Sequence, residues 1–376
     1  MILKLLGILV HKGGETVSNF TCKTKIITGR GSVARLKELG IHRLLMVADP
    51  YFVQNGTAEN LAKLTGAAET ELFSKIEPDP SVELTAMGTA VVKRFQPDTV
   101  VALGGGSAMD CAKAMAYFAS HKGSFVAIPT TSGSGSEVTD FAILTSQGCK
   151  HPLVDESLVP DVAILDADLL DKLPQKLIAD TGFDVLAHAV EALAAKNSGL
   201  FTQTLSKTAF SVVYGNLRAS HAGNRSVRQC IHEASAMAGV AFSQSGLGLC
   251  HSISHVLGGM FHVPHGRLNA IFLPGVIRTN AHLCADRYAG LARFAGIPGA
   301  SDTMAVRNLC TGLERLRRDL AMPGTLKEAG VDPRQLRADM PRLVEQILQD
   351  PCSQTNPIPA EDFMVRRLLE GASGGL

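Results

Sequence analysis

Four of the twelve histidines in this chain of 376 residues lie within one stretch, LCHSISHVLGGMFHVPHG, which runs from Leu249 to Gly266. His251 and His255 are four residues apart, so they would share one face of a helix. Imidazole is the commonest metal ligand in proteins and the usual proton carrier near neutral pH. The stretch therefore indicates a metal site or a proton-transfer site, and the plain alternative is a helix end with satisfied or surface histidines.

The second half of the same stretch predicts a change of direction. Gly258 and Gly259 weaken a helix, and Pro264 argues against its continuing. We therefore predict a helix break at the two glycines, which would let His265 fold back towards the first histidine of the stretch. No role is predicted for His262, which we expect to be a surface or outer residue.

A second pair of possible ligands lies earlier, in TGFDVLAHAVEA, where Asp184 and His188 are again four residues apart. On a helix surface such a pair contributes only a few tenths of a kcal/mol, roughly. Here the neighbouring residues are nearly all apolar, so a buried charged pair would need a partner. Together with His251 and His265 the pair would offer one oxygen and three nitrogen ligands. Such a set suits Fe(II), Zn(II), Co(II) or Ni(II) better than Mg²⁺ or Ca²⁺.

Two glycine-rich turns in the first half of the chain could hold a phosphate group. GGGSAMD, from Gly104 to Asp110, comes where a predicted strand ends and a helix begins. Glycines let the backbone approach a phosphate closely, and a helix N-terminus offers free N–H groups. PTTSGSGSE, from Pro129 to Glu137, adds hydroxyl groups after the next strand. The two turns predict one ligand crevice at the carboxyl edge of a sheet, although a three-glycine turn alone is more often a tight connection.

The kind of nucleotide is not given by these turns, since GGGSAMD matches neither GxGxxG nor GxxxxGK. Asp49 follows the second predicted strand. An acidic residue at this place commonly binds the ribose hydroxyls of NAD and repels the extra phosphate of NADP. The alternative for this Asp-Pro pair is a helix or turn cap.

The predicted secondary structure differs between the two halves of the chain. Up to about Asp166 strands alternate with helices, which predicts βαβ units and a parallel sheet. Strands are predicted at 20–28, 43–48, 69–73, 98–103 and 125–128, and helices at 33–39, 55–64, 81–95 and 108–119. Long helices are then predicted at 175–195, 203–217, 226–242, 268–281, 284–294, 305–320, 333–348 and 359–370.

The pattern predicts an α/β N-terminal nucleotide-binding domain at 20–173 and an all-α C-terminal metal-binding domain at 174–376. The boundary is placed where Pro174 suits the first turn of a new helix. Residues 1–19 are expected to form an N-terminal extension. Its apolar run MILKLLGILV is too short to span a bilayer, and no signal-peptide cleavage pattern follows.

Composition favours a soluble, cytoplasmic enzyme. Hydrophobic residues make up 45% of the chain, enough for a sizeable core, and the net charge of +1 gives no reason to expect nucleic-acid binding. The eight cysteines are scattered without a CxxC pair, so neither a zinc knuckle nor a disulfide framework is indicated. We therefore expect neither a nucleic-acid nor a membrane partner.

Four segments in this order resemble the iron-dependent (group III) alcohol dehydrogenases: GGGSAMDCAKA, PTTSGSGSEVT, TGFDVLAHAVEA and GLGLCHSISHVLGGMFHVPHG. The similarity runs from about Phe20 to Pro357. The phrases AIPTTSGSGSEVT, GLGLCHSISHVLGG and VPHG are most similar to the propanol and ethanol dehydrogenases of propanediol- and ethanolamine-utilisation microcompartments. The resemblance implies a dehydroquinate synthase-like fold with a cleft between its two domains.

The resemblance also assigns roles to residues. The implied metal ligands are Asp184, His188, His251 and His265, and His255 falls where the family has a residue lining the reaction site, so we predict that it relays a proton. The predicted cofactor-binding residues are Asp49, Gly105, Gly106, Ser107, Asp110, Thr130, Thr131, Ser134 and, by a loose alignment, Lys150.

The implied reaction is reversible hydride transfer between NAD(H) and a short-chain primary alcohol or aldehyde, such as propanol and propionaldehyde, with Fe(II) or Zn(II) as Lewis acid. A homodimer or higher homo-oligomer is expected, possible partners being microcompartment shell or cargo proteins. Three alternatives stay open: a zinc-dependent polyol dehydrogenase of the glycerol type, a dehydroquinate synthase-like lyase, and an inactive scaffolding protein. The apolar residues near the motifs argue against the lyase, whose anionic substrate needs several basic groups.

Overall fold

The computed structural model describes residues 19–146 and 149–374. The predicted N-terminal extension therefore lies outside the described residues, except for its last position, Asn19. Within the described part, the chain forms a sheet with helices on both faces, followed by a bundle of helices.

The first half of the chain contains all eight described strands. They are β1 (Lys25–Thr28), β2 (Arg43–Ala48), β3 (Glu69–Phe73), β4 (Thr99–Gly104), β5 (Ser124–Pro129), β6 (Phe141–Ser146), β7 (Cys149–Val154) and β8 (Val162–Leu165). Six of them form one parallel sheet in the order β1-β8-β5-β4-β2-β3, and β6 and β7 pair as an antiparallel hairpin. Between the strands lie α1 (Pro50–Gln54), α2 (Thr57–Thr65), α3 (Val82–Phe95) and α4 (Gly106–Phe118).

The central strands are apolar in continuous runs because helices cover both faces of the sheet. In β2, Leu45 and Val47 pack on the side of α3 and α4. Leu44 and Met46 alternate with them and pack on the side of α1 and α2. A side-chain period of two residues thus supplies two core layers from one strand, as expected for a parallel sheet covered on both faces.

The second half of the chain is helical in its described part. Its helices are α5 (Gln175–Ala194), α6 (Leu200–His221), α7 (Arg228–Ser245), α8 (Leu249–Phe261), α9 (His265–Phe294), α10 (Asp302–Asp319), α11 (Pro333–Gln349), α12 (Pro351–Thr355) and α13 (Asp362–Ala372). One large apolar cluster joins most of them, and α5 contributes many of its residues, with every residue from Val185 to Ala194 buried.

This arrangement confirms the predicted fold class, a parallel-sheet N-terminal part and a helical C-terminal part. The last strand of the sheet ends at Leu165 and the first long helix begins at Gln175. We retain the domain limits 20–173 and 174–376 as a proposal. Of the described helices, none has the length and apolar character needed to cross a membrane.

Several local predictions differ from the structure. The strand predicted at 20–28 is shortened to β1, because its neighbour β8 has only four residues to pair with. β8 and the β6–β7 hairpin were not predicted, since β8 is very short and Pro152 interrupts the pattern of β7. Pro is tolerated there because the hairpin has free edges. The two helices predicted at 268–281 and 284–294 are confirmed as two helical segments on either side of a kink at Cys284, but the first begins earlier than predicted, at His265, and both fall within the range of α9.

Candidate metal centre and cofactor cleft

Three imidazole nitrogens surround one carboxylate oxygen in the helical part of the chain. The Nε2 atoms of His188, His251 and His265 lie 3.9, 3.8 and 3.5 Å from Oδ1 of Asp184. Asp184 and His188 are one turn apart on α5, His251 is in the first turn of α8, and His265 is the first residue of α9. The structure therefore brings together all four predicted ligands.

The donor atoms of Asp184, His188 and His251 lie close enough to share one transition-metal ion, and His265 approaches this group at Asp184. Ligands bound at about 2.0–2.2 Å from a common ion are at most about 4.2 Å apart, and each of the three distances to Asp184 is below that limit. The donor atoms of Asp184, His188 and His251 also form a mutually close group. One carboxylate with three imidazoles suits a divalent transition metal better than Mg²⁺ or Ca²⁺.

Two residues that were not predicted hold the ligands in place. Glu191 accepts a hydrogen bond from Nδ1 of His251 at 2.6 Å, which leaves Nε2 facing Asp184. The same carboxylate accepts the backbone N–H groups of Gly248 and Cys250 at the start of α8. Asn269 donates its amide to Oδ1 of Asp184 at 2.8 Å. Such partners of ligands fix their orientation and their protonation state.

Glu191 could have been found in the sequence. It lies seven residues after Asp184 and three after His188, so all three share one face of α5. Asn269 lies four residues after His265 on α9, so the same rule places it beside that ligand, although the residue that it contacts, Asp184, is 85 residues away.

The predicted break in the histidine stretch is displaced by the structure. α8 continues through Gly258 and Gly259 and ends at Phe261. His262 follows in a left-handed conformation with φ 55°, and the chain turns through Pro264 into α9. Pro264 sets this end, because a residue before proline avoids the helical conformation, whereas a glycine only weakens a helix. His262 is exposed, as expected.

Burial and neighbouring charges shift the pKa values of the four predicted ligands. Burial alone would raise the pKa of Asp184, but the surrounding imidazoles outweigh burial and hold that pKa well below its usual range. Burial lowers the pKa of His188 to about 3 and that of His265 well below its usual value. Burial opposes a charge on His251 too, but the nearby carboxylates of Asp184 and Glu191 raise its pKa to about 9. The site thus holds an anionic oxygen and two neutral imidazoles, and a metal ion bound here would displace the proton that the two carboxylates favour on His251.

His255, the predicted proton relay, lies at the edge of this cluster. Its ring stacks on that of His265 with 5.2 Å between centroids. Its Nδ1 lies 3.0 Å from Oδ2 of Asp350, which was not predicted. Asp350 is fixed in turn because its other oxygen accepts the Oγ hydrogen of Ser252 and the backbone N–H of Cys352. Nδ1 of His255 is thus engaged by a fixed carboxylate, and proton transfer through its other nitrogen stays a prediction.

The glycine-rich turns lie at the carboxyl ends of β4 and β5. α4 begins at Gly106, and no side chain caps its N-terminus, so its first N–H groups are available to a ligand. A Cβ at Gly105 would meet Thr131 at 3.3 Å, and one at Gly106 would meet Ser134 at 3.1 Å. The two turns are therefore in contact, and glycine keeps open the space in front of the helix.

Asp49 lies beside the first turn, where its backbone N–H donates to Leu103. A Cβ at Gly104 would be 3.2 Å from the Cβ of Asp49. Oδ1 of Asp49 caps α1 by accepting the N–H of Tyr51 at 2.9 Å. The carboxylate is thus a helix cap that also borders the glycine turn, and its binding of the NAD ribose stays a prediction.

Two other predicted cofactor residues have protein partners. Asp110 uses both carboxylate oxygens, one for Oγ of Ser136 and one for the backbone N–H of Ile143. Lys150 forms an ion pair with Asp79 at 2.6 Å. Asp110 therefore ties α4 to the second turn and to the hairpin, and Lys150 faces the cleft from β7.

One cavity of about 350 Å³ joins the cofactor turns to the histidine cluster. Ser134 and Lys150 line its sheet side, and the four predicted ligands with His255 line its helical side. Apolar side chains from the hairpin and from α7 form much of the rest, including Phe141, Ile143, Val154, Phe242 and Leu247. Three of the predicted cofactor residues, Asp110, Ser134 and Lys150, therefore share one largely apolar space with His255 and the predicted ligands. The other six do not line this cavity: Asp49, Gly105, Gly106, Ser107, Thr130 and Thr131.

Comparison with known sequence families gives two matches that together cover most of the chain. Residues 23–167 match the family described as iron-containing alcohol dehydrogenase. Residues 178–373 match the C-terminal domain of the Fe-containing alcohol dehydrogenase family.

Individual proteins of known name are similar over nearly the whole chain. The 1-propanol dehydrogenase PduQ of Salmonella typhimurium is 38% identical over 370 residues, covering 94% of this chain and 99% of its own. The NADPH-dependent butanol dehydrogenase of Clostridium saccharobutylicum is 34% identical over 375 residues, covering 93% and 97%. Among solved structures, a 1,3-propanediol oxidoreductase has a TM-score of 0.89 at 30% identity, covering 95% of this chain and all of that one.

Proposed function

The chain belongs to the iron-containing alcohol dehydrogenase family and is an NAD-linked alcohol dehydrogenase, and we propose that its substrates are short-chain primary alcohols and their aldehydes. The observation that carries this proposal is the position of the four possible ligands at one end of a small, apolar cavity. A chain of three or four carbons can pack against Phe242 and Leu247 while its oxygen faces Asp184 and the histidines.

Iron(II) is the ion that we propose for the ligands Asp184, His188, His251 and His265. The family name carries iron, and the donor set suits it. Zn(II) suits the same donors, so supply in the cell decides between them. When bound, the metal supplies a Lewis acid for the substrate oxygen, and the nicotinamide ring supplies the hydride acceptor or donor.

The chain's own residues prepare this chemistry. Glu191 keeps Nε2 of His251 aimed at Asp184. The stacked rings of His188, His251 and Phe242 limit how far the imidazoles can turn. The apolar walls exclude water, and this strengthens electrostatic interactions with the substrate oxygen.

Oxidation of an alcohol to an aldehyde removes a hydride and a proton, and His255 is proposed to take the proton. Asp350 accepts a hydrogen bond from Nδ1 of His255, so the other ring nitrogen can take the proton and Asp350 can stabilise the resulting charge. The side chain of His255 is 19% exposed, which gives the proton a route to solvent. Aldehyde reduction uses the same path in reverse.

NADH is proposed as the preferred cofactor, with its diphosphate at the start of α4 in front of Gly105 and Gly106. Ser107, Thr130, Thr131 and Ser134 border this position and can donate hydroxyl hydrogens. Asp49 supports the choice of NADH, because its carboxylate beside Gly104 repels a ribose phosphate. The related butanol dehydrogenase is named as NADPH-dependent, so the cofactor choice needs its own measurement.

The two other enzyme activities fit the cavity less well. A lyase acting on a phosphorylated, anionic substrate needs several basic groups. Among the described residues that line the cavity, only Lys150 carries a permanent positive charge, and Asp79 already neutralises it. A polyol substrate would place several hydroxyl groups against Phe141, Phe242 and Leu247, where burial without hydrogen bonds is costly.

We further propose a role in propanediol utilisation, inside a bacterial microcompartment or in the cytoplasm, as a homodimer or higher homo-oligomer. The 38% identity to a 1-propanol dehydrogenase over 94% of the chain supports the role in propanediol utilisation. Light scattering on the purified protein would give the oligomeric state directly, and co-purification with shell proteins would test the location.

The substrate proposal is tested with anaerobically purified, Fe(II)-loaded protein. The decrease in absorbance at 340 nm is followed for acetaldehyde, propionaldehyde, butyraldehyde and glyceraldehyde, each with NADH and with NADPH. We expect the highest kcat/KM for propionaldehyde or butyraldehyde with NADH. Oxidation of NADH only by glyceraldehyde, or by none of the four aldehydes, would contradict the proposal.

A further inference from the structure

An ion pair lies directly behind the metal centre, between Asp180 and Arg267. Nε of Arg267 donates to Oδ1 of Asp180 at 3.2 Å, and Nη2 donates to Oδ2 at 2.8 Å. The pair is largely shielded from solvent, with 12% of the aspartate side chain and 26% of the arginine side chain exposed. Such a two-point contact fixes both the distance and the orientation of its partners.

The two residues belong to the elements that carry the ligands. Asp180 is one turn before Asp184 on α5. Arg267 is two residues after His265, in the first turn of α9. The ion pair therefore connects the backbone that carries His265 with the helix that carries Asp184, although the pair is separated by 87 residues in the sequence.

His265 is the ligand with the least support of its own. Its side chain is 27% exposed, whereas that of His251 is 1% exposed. His251 is oriented by Glu191, but within the described residues the ring of His265 has no hydrogen-bond partner of that kind. The place of His265 therefore depends on where the start of α9 lies.

A second contact marks the same junction. A Cβ at Gly266 would lie only 1.8 Å from the backbone oxygen of Asp180. The first turn of α9 is thus in close contact with α5 at the residue that receives Arg267. Glycine permits this close contact, and the ion pair between Asp180 and Arg267 opposes the separation of α9 from α5.

We propose that Arg267 and Asp180 act as a positioning pair that holds His265 at the metal centre. The inference rests on the proposed metal site, since it concerns how one of its ligands is kept in place. Without the pair, α9 can move away from α5 at its first turn, and His265 moves with it. Partners that orient metal ligands typically change metal affinity by about 10–100-fold when they are replaced.

The test compares metal release by Arg267→Gln, Arg267→Lys and the unsubstituted full-length chain. Each protein is loaded with Co(II), and transfer of the ion to a chromogenic chelator is timed. We expect release to be about tenfold faster for Arg267→Gln, with a smaller change for Arg267→Lys, which keeps the charge but loses the two-point contact. The Co(II) absorption spectrum of Arg267→Gln should shift as one imidazole is lost from the ion.

Arg278→Gln is the matched control, because Arg278 pairs with Glu314 from the same helix α9 at a place away from the cavity. It removes an arginine ion pair of α9 without touching the first turn. Equal release rates for Arg267→Gln and the unsubstituted chain, or an equal acceleration in Arg278→Gln, would overturn the proposal. Asp180→Asn should reproduce Arg267→Gln, and the double substitution should add little to either.

His265→Ala separates this inference from the metal site itself. If His265→Ala releases Co(II) rapidly and Arg267→Gln does not, the metal site stands and the positioning pair is wrong. If His265→Ala releases Co(II) as slowly as the unsubstituted chain, the ligand assignment fails and the inference fails with it.

Discussion

The two sides of the cleft are built by different means. On the helical side, the chemistry depends on charged and imidazole side chains, and Glu191 and Asn269 hold two of them in place. On the sheet side, the contacts offered to a cofactor come mainly from backbone N–H groups at the start of α4 and from the space that Gly105 and Gly106 leave open.

This difference predicts different consequences of substitution. On the helical side a site is lost when a side chain is removed, because the ligands are the side chains. On the sheet side a site is lost when a side chain is added, because an added Cβ fills the space that we propose for the cofactor. Substitutions on the helical side should change metal content and kcat, whereas those on the sheet side should change the KM for the cofactor.

The largest effect is expected for His251→Ala, which removes the most deeply buried of the four proposed ligands. Lewis-acid assistance is worth several kcal/mol, so kcat should fall by about a thousandfold. Metal content per chain, measured by mass spectrometry of the element, should fall with it, and NADH binding measured by fluorescence should persist. Full metal content in this variant would contradict the claim that the helical side loses its metal site when a ligand side chain is removed.

A smaller loss is expected for Glu191→Gln, which keeps the size of the side chain but removes the charge that faces His251. Metal affinity should fall by about 10–100-fold. Excess metal should restore much of the activity, and this would distinguish the effect from loss of a ligand. Glu345→Gln, at an exposed residue of α11, is a control that should bind metal normally. Unchanged affinity in Glu191→Gln would show that the hydrogen bond to His251 is dispensable.

On the sheet side, Gly105→Val should raise the KM for NADH by about tenfold, equivalent to about 1.4 kcal/mol, with metal content unaltered. The new side chain would contact Thr131 and occupy the space in front of α4. Gly290→Ala, where a Cβ meets no atom within 4 Å, is the matched control and should leave this KM unchanged. An unaltered KM in Gly105→Val would place the cofactor elsewhere.

The smallest effect is expected for Asp49→Ser, which keeps a cap for α1 but removes the negative charge beside Gly104. Serine is as good a helix cap as aspartate, so the melting temperature should change little. The ratio of kcat/KM for NADH to that for NADPH should decrease by roughly five- to tenfold, or about 1 kcal/mol. A constant ratio would mean that Asp49 serves only as a cap.

The two sides also differ in how far they could be predicted from sequence. Asp184 and His188 were recognisable as a pair of proposed ligands because a spacing of four places their side chains on one helix face. His251 and His265 lie on two different helices, and they were proposed from the clustering of histidines and from the family resemblance. Glu191 follows the same rule at spacings of three and seven. Asp350, between α11 and α12, escaped prediction because it contacts His255 from 95 residues away. Asn269 follows His265 by four residues, but its contact is with Asp184 on another helix, which no local pattern shows.

On the sheet side, the glycine-rich turns were predicted, but the contacts of the side chains in and beside them were not. Asp49 proved to be a helix cap and a neighbour of the glycine turn at once, which its Asp-Pro sequence alone leaves open. Asp110 has both oxygens occupied by protein partners. The ion pair of Asp180 and Arg267 depends on a contact between α5 and α9, and no local sequence pattern predicts such a contact.

The central claim is that one metal ion at Asp184, His188, His251 and His265 supports NADH-linked aldehyde reduction. It is tested most directly by stripping the protein with a chelator under anaerobic conditions and then titrating it with Fe(II). Bound iron and the rate of NADH oxidation with propionaldehyde are measured at each step. We predict that both rise together and level off at about one ion per chain, and that His251→Ala shows neither rise. Full activity in the stripped protein, or a rate that rises without bound iron, would contradict the claim.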